Sequence, residues 1–163
     1  MSSGLLNKLK RKASSFVRQP RFAKRWFPVL WVLLGLSRLA ILVFSFRRIA
    51  PHLGIPVGIA SYTPLLTPPQ ERRAAQVGQA IRLAARYTPW TSNCFPQAVT
   101  ARLILGIYRI PYSLYFGVMR DLERHDYRAH AWVSAGRVAV TGGFGFHQFT
   151  VVGCYLSPHL KRQ

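Results

Sequence analysis

Residues 92–118 read SNCFPQAVTARLILGIYRIPYSLYFGV, and within this one stretch the pattern changes from helical to extended. Asn93 is a residue type whose side chain accepts hydrogen bonds from first-turn N–H groups, Pro96 suits a first turn, and Ala98, Ala101, Leu103 and Leu105 favour helix. Beyond Pro111, aromatic and β-branched residues take over in YSLYFGVM. The stretch therefore predicts a helix that starts at Cys94 and runs into the first strand of a sheet.

Working outward, AHAWVSA (129–135), a turn at Gly136, RVAVTGG (137–143) and FTVVGCYL (149–156) read as three further strands. Upstream, ERRAAQVGQAIRLAARY (71–87) places Ala74, Val77, Ala80 or Ile81, and Ala84 on one helical face, leaving Arg72, Arg73, Arg82 and Arg86 for solvent. The order is two helices and then about four antiparallel strands, an α+β arrangement.

The N-terminal part has another character. Residues 51–70 hold five prolines and two glycines and read as a linker. Before it, WFPVLWVLLGLSRLAILVFSF (26–46) approaches the roughly 20 residues needed to cross a bilayer. Arg38 inside it costs about 2.5–3.5 kcal/mol on insertion scales, so the segment reads either as a membrane helix or as a packing helix. Its late start and the Arg47-Arg48 pair after it argue against a cleavable signal and for a cytoplasmic protein. The expected organisation is a basic arm over 1–25, an apolar helix over 26–50, the linker over 51–70, one catalytic domain over 71–157 and a tail over 158–163.

A length of 163 residues fits one compact core, and a half-apolar composition excludes disorder. Lys and Arg total 23, whereas the acids are only Glu71, Asp121, Glu123 and Asp126, giving a net charge of +19. Nucleic acid, an anionic membrane or an acidic peptide would each satisfy that charge. Eleven of the cations and none of the acids lie in residues 1–50. Association with an anionic membrane surface through residues 5–48 is thus one reading, and a solvated terminus over 5–25 is the other. No nucleic-acid motif is present, and no nucleic-acid partner is expected.

Cys94 and Cys154 are 60 residues apart with no CxxC spacing, which suggests neither a zinc ribbon nor a disulfide scaffold. The scattered histidines have no ligand spacing, and no metal or other cofactor is expected. A cysteine at a helix N-terminus gains thiolate stability from the unpaired N–H groups there, although most free cysteines simply pack as small apolar residues. His130 lies mid-strand, and period-two alternation sets it on one face with Trp132 and Ser134. An imidazole within reach of the thiol would give a thiolate–imidazolium pair; a satisfied structural histidine is the plain alternative. His52, His125, His147 and His159 read as surface residues, and Cys154 as a core residue.

Ser92-Asn93-Cys94 followed by Ala129-His130-Ala131-Trp132-Val133 and FTVVGCYL resembles the leader peptidases of lasso-peptide biosynthesis, in the transglutaminase-like superfamily. The resemblance covers residues 71–157 and extends to FRRIAPHLG before them. It implies a papain-like core with Cys94 as nucleophile and His130 as base. Asn93, Trp90, Gln97 and Trp132 are the candidate residues for the oxyanion and the substrate. It further implies a ribosomal precursor peptide as substrate, a separate small leader-binding protein and an asparagine-synthetase-like cyclase as partners. Relatives tend to have an acid after the histidine strand, where this chain has Thr141-Gly142-Gly143. Thr141 is the expected orienting position, with Asp126 as the alternative. An acyl-transferring enzyme of the same fold and a non-enzymatic basic module are the competing functions.

Overall fold

The computed structural model describes residues 20–121, 126–143 and 145–162. The basic arm up to residue 19 and His125 lie outside the described residues.

Helix α1 spans Arg21–Val43 and is followed by a short α2, Phe46–Ile49. After a two-residue strand β1, Ile55–Pro56, come α3, Pro68–Ala85, and α4, Cys94–Ile107. Strands β2 (Ser113–Asp121), β3 (Asp126–Ala135), β4 (Val138–Thr141) and β5 (Thr150–Leu156) complete an antiparallel sheet of order β1-β5-β2-β3-β4. The sheet therefore has one strand more than the sequence reading supplied. β1 is too short and too rich in proline to show a period.

Helix α3 begins three residues before Glu71, where the sequence pattern begins. Thr67 and Gln70 form a capping box, the Thr67 backbone N–H donating to Oε1 of Gln70 at 3.0 Å, and Pro68 occupies the first turn, where its missing N–H costs nothing. Ala74, Val77, Ala80, Ile81 and Ala84 are all buried, as their spacing requires. Two arginines expected in solvent have further contacts: the Arg82 guanidinium donates to the Val140 carbonyl at 3.0 Å, and that of Arg73 lies 5.0 Å from the Phe22 ring. Gly78 lets α3 approach β4, since a Cβ there would stand 2.5 Å from the Val140 oxygen.

The apolar segment is part of the same core. Leu30, Leu34, Ala23 and Ser37 of α1 are buried against α3 and α4. Trp26 Nε1 donates to the Tyr108 hydroxyl at 2.9 Å, Ser37 and Thr100 share a buried hydroxyl contact of 3.3 Å, and Phe46 meets Phe95. These pairs run in opposite chain directions, so α1 lies antiparallel to α4 and its C-terminal end is beside Cys94. A core that includes Ala23, Leu30 and Leu34 does not begin at residue 71; the structural unit reaches back to α1. The residues between, expected as a linker, are stitched to the sheet: the Tyr112 hydroxyl donates to Leu53 O, and those of Ser113 and Tyr115 donate to Tyr62 O.

The two faces of the sheet are buried differently. Leu114, Ala131, Val133, Ala135 and Val140 pack on the helices, whereas Tyr115, Trp132 and Cys154 form a smaller cluster with Phe149 and Val151 on the other face.

Candidate active site

Cys94 is the first residue of α4, half-buried against the helix-side core. Asn93 occupies the N-cap position, but its side chain makes no capping bond. The first-turn N–H groups of Cys94 and Phe95, which have no intrahelical acceptor, therefore receive no cap from Asn93. The preceding loop is braced: Thr88 Oγ1 lies 2.9 Å from Ser92 Oγ, and Gln97 Nε2 donates to Ser92 O at 2.7 Å. Gln97 thus ties the second turn of α4 back to the residue two before the cysteine. Trp90 meets Trp31 edge to face at 4.5 Å and lies over Gly35, so its ring contacts are with α1. Its indole N–H is buried with no acceptor among the described residues.

His130 and Trp132 do share a face, their rings stacked at 5.9 Å, and Phe149 also stacks on the imidazole at 4.8 Å. That face is the one opposite the helices, and among the described residues no hydrogen bond joins His130 to Cys94. Strand β4 pairs with β3 only from Val133 onward, so the stretch of β3 carrying His130 has an open edge. A hollow of about 280 Å³ bounded by Phe46, Phe116, Ala129, His130 and Tyr155 lies across β3, β2 and β5. Phe46 and Phe116, two of its walls, both contact the ring of Phe95, the residue after Cys94.

The imidazole is oriented by backbone. His130 Nε2 lies 2.8 Å from the Gly142 carbonyl oxygen. A carbonyl only accepts, so Nε2 carries the proton in the neutral ring and Nδ1 keeps its lone pair, the state a general base requires. Thr141, the expected orienting residue, is buried in β4 and its hydroxyl has no partner among the described residues. The bond comes instead from the next residue. Asp126 is on the histidine's side of the strand but four residues away, about 13 Å along β3, with Oδ1 accepting from the Tyr127 backbone N–H. Gly142 escaped the sequence reading because a carbonyl is common to all residues. A hint existed in its place: at φ +93°, with a Cβ colliding with Trp132, the position admits little but glycine.

Beyond Trp132 the outer face forms a cavity of about 400 Å³ walled by Tyr115, Trp132, Phe146 and Phe149, with Arg137 at its rim. Cys154 is buried in the same cluster, and burial pushes its thiol up to about 11, far from a nucleophile's range. Among the described residues no group of three or more His, Cys, Asp and Glu side chains is arranged to hold a metal ion.

The family model described as the transglutaminase-like superfamily matches residues 36–154. The chain belongs to the transglutaminase-like superfamily. Its α+β fold, with helices preceding an antiparallel sheet, is that of a transglutaminase-like domain, and the match includes both Cys94 and His130. No curated protein and no solved structure matches the chain. The superfamily includes cysteine peptidases and acyltransferases, and its members are typically enzymes.

Proposed function

We propose that this chain is a cysteine peptidase that removes the leader from a ribosomally made precursor peptide during lasso-peptide maturation. The observation that carries the reading is the Nε2–Gly142 carbonyl bond, which leaves the Nδ1 lone pair of His130 free, on a residue bordering a hollow whose walls Phe46 and Phe116 touch the neighbour of Cys94. The resemblance of the Ser92-Asn93-Cys94 and Ala129-His130-Ala131-Trp132-Val133 segments to lasso leader peptidases supports the substrate class.

In the reaction, Nδ1 takes the Cys94 proton as the sulfur attacks the scissile carbonyl carbon. The oxyanion is met by the backbone N–H of Cys94 and its first-turn neighbours. Collapse breaks the C–N bond, the imidazolium returns its proton to the leaving amine, and water hydrolyses the thioester with His130 again as base. Because His130 and Cys94 share no hydrogen bond among the described residues, their pairing requires a rearrangement on substrate binding. Catalytic hydrogen bonds are commonly long or absent before substrate binds. A separate small leader-binding protein delivers the precursor, and an asparagine-synthetase-like cyclase takes the released core peptide.

Incubation of the purified chain with a precursor peptide and its leader-binding protein, read by mass spectrometry, tests this. Two fragments whose masses sum to that of the precursor plus one water, absent with Cys94→Ala, are expected. An amine-capped product would make the chain an acyltransferase, and unaltered cleavage by Cys94→Ala would end the peptidase reading.

A further inference from the structure

Helix α1 has a second apolar face that its own domain leaves uncovered. Val29, Val32, Leu36, Leu39 and Val43 follow one another at spacings of three and four residues, hence along one line of the helix, and are between 45 and 62 % exposed. Phe44 and Phe46 continue the exposed surface past the helix end. The buried residues Leu30, Leu34 and Ser37 lie on the other side. Arg21 and Arg25 are exposed at one end of this stripe, and Arg47 and Arg48 at the other.

From this arrangement we infer that α1 seats the domain on an anionic membrane surface, lying in the plane of the interface rather than crossing it. At 23 residues the helix is about 34 Å long, enough to span. Spanning would, however, carry its inner face into hydrocarbon. Either α3 would follow with the exposed Arg72 and Arg82, or the bonds of Trp26, Trp31 and Ser37 to Tyr108, Tyr87 and Thr100 would be lost. In plane, the inner face keeps the protein core and the outer stripe enters the acyl boundary.

Charge selects lipid over a second copy of the chain. Residues 1–50 contain eleven cations and no acid, so two such faces placed together would bring arginine clusters against each other, whereas anionic headgroups neutralise them. The inference does not depend on the peptidase reading.

The test is co-sedimentation of the full-length protein with vesicles of phosphatidylcholine alone or mixed with phosphatidylglycerol. Tight binding to the mixed vesicles, weakened by salt and released by alkaline carbonate, is expected. The triple variant Val32→Ser/Leu36→Ser/Leu39→Ser should bind at least about tenfold more weakly. Arg47→Gln/Arg48→Gln should lose roughly an order of magnitude on the mixed vesicles alone. Circular dichroism and thermal melting confirm that each variant folds. Equal binding by wild type and the triple variant would overturn the proposal, and resistance to carbonate would show a spanning helix. Failure to bind vesicles together with a dimer that the triple variant dissolves would assign the face to a second copy. Failure to bind them together with a complex between the chain and a leader-binding protein that the same variant dissolves would assign it to that protein.

Discussion

His130 and Gly142 are joined by a 2.8 Å contact between Nε2 and a main-chain oxygen, twelve residues apart and across the end of β4. The contact sets the tautomer without a second titratable group. A carboxylate in that place would stabilise the imidazolium more strongly than a neutral carbonyl does.

Gly142→Ala is expected to cut leader cleavage by about tenfold or more while leaving the far-ultraviolet circular dichroism unchanged. The added methyl collides with Trp132 at a φ of +93°, which shifts the carbonyl away from Nε2. Cleavage rates and the nitrogen chemical shifts of His130 report the two effects separately; an unaltered tautomer with normal cleavage would show that the carbonyl has no orienting role.

Thr141→Val should raise thermal stability by about 1 kcal/mol and barely change cleavage, because it removes a buried hydroxyl that has no partner among the described residues. Asp126→Asn should likewise leave the rate within about twofold, since its carboxylate caps the Tyr127 N–H far along the strand. Measured kcat/KM for both variants decides the matter: a loss of orders of magnitude in either would return the orienting role to that side chain.

Cys94→Ala and His130→Ala are expected to abolish cleavage, with melting temperatures close to wild type for residues that are half-buried. Cys154→Ala should keep most activity. Iodoacetamide followed by peptide mapping should modify Cys94 and spare Cys154 at neutral pH. Burial pushes the Cys154 thiol up to about 11, well above a free thiol. Its neutral form is therefore favoured by folding, and the associated stability is present below the unfolded pKa and falls as pH rises from about 9 toward 11.

Gly78→Ala should destabilise the domain by about 2 kcal/mol or more, although alanine is the better helix former. Its Cβ would stand 2.5 Å from the Val140 oxygen, forcing β4 from α3 and weakening the Arg82 bond to the same carbonyl. Chemical denaturation measures the loss; a stabilised variant would mean that α3 and β4 are less closely apposed than described.

Much of this was legible in the sequence. The apolar stripe of α3, the start of α4 at Cys94 and the alternation that sets His130 beside Trp132 each follow from periods of 3.6 and 2. What was not legible depends on contacts between distant segments. No local pattern tells that Leu30 and Leu34 pack on α3 and α4, so the domain looked as though it began at residue 71. Nor does alternation tell which face of β3 the helices cover. The acid-free stretch after the histidine showed that a carboxylate was missing but left open which group stands in for it.

Ser37 and Thr100 meet where α1 crosses the helix that begins with the cysteine, and Thr100 is six residues, about 9 Å, from Cys94. Turning α1 by a single residue would swing its outer stripe through about 100° and separate the two hydroxyls. The pair therefore acts as a key that fixes the azimuth of α1 against the catalytic helix. Whatever surface the stripe rests on, the cysteine is held at one height and one heading above it, and the domain works as a ruler whose zero mark is the plane of contact.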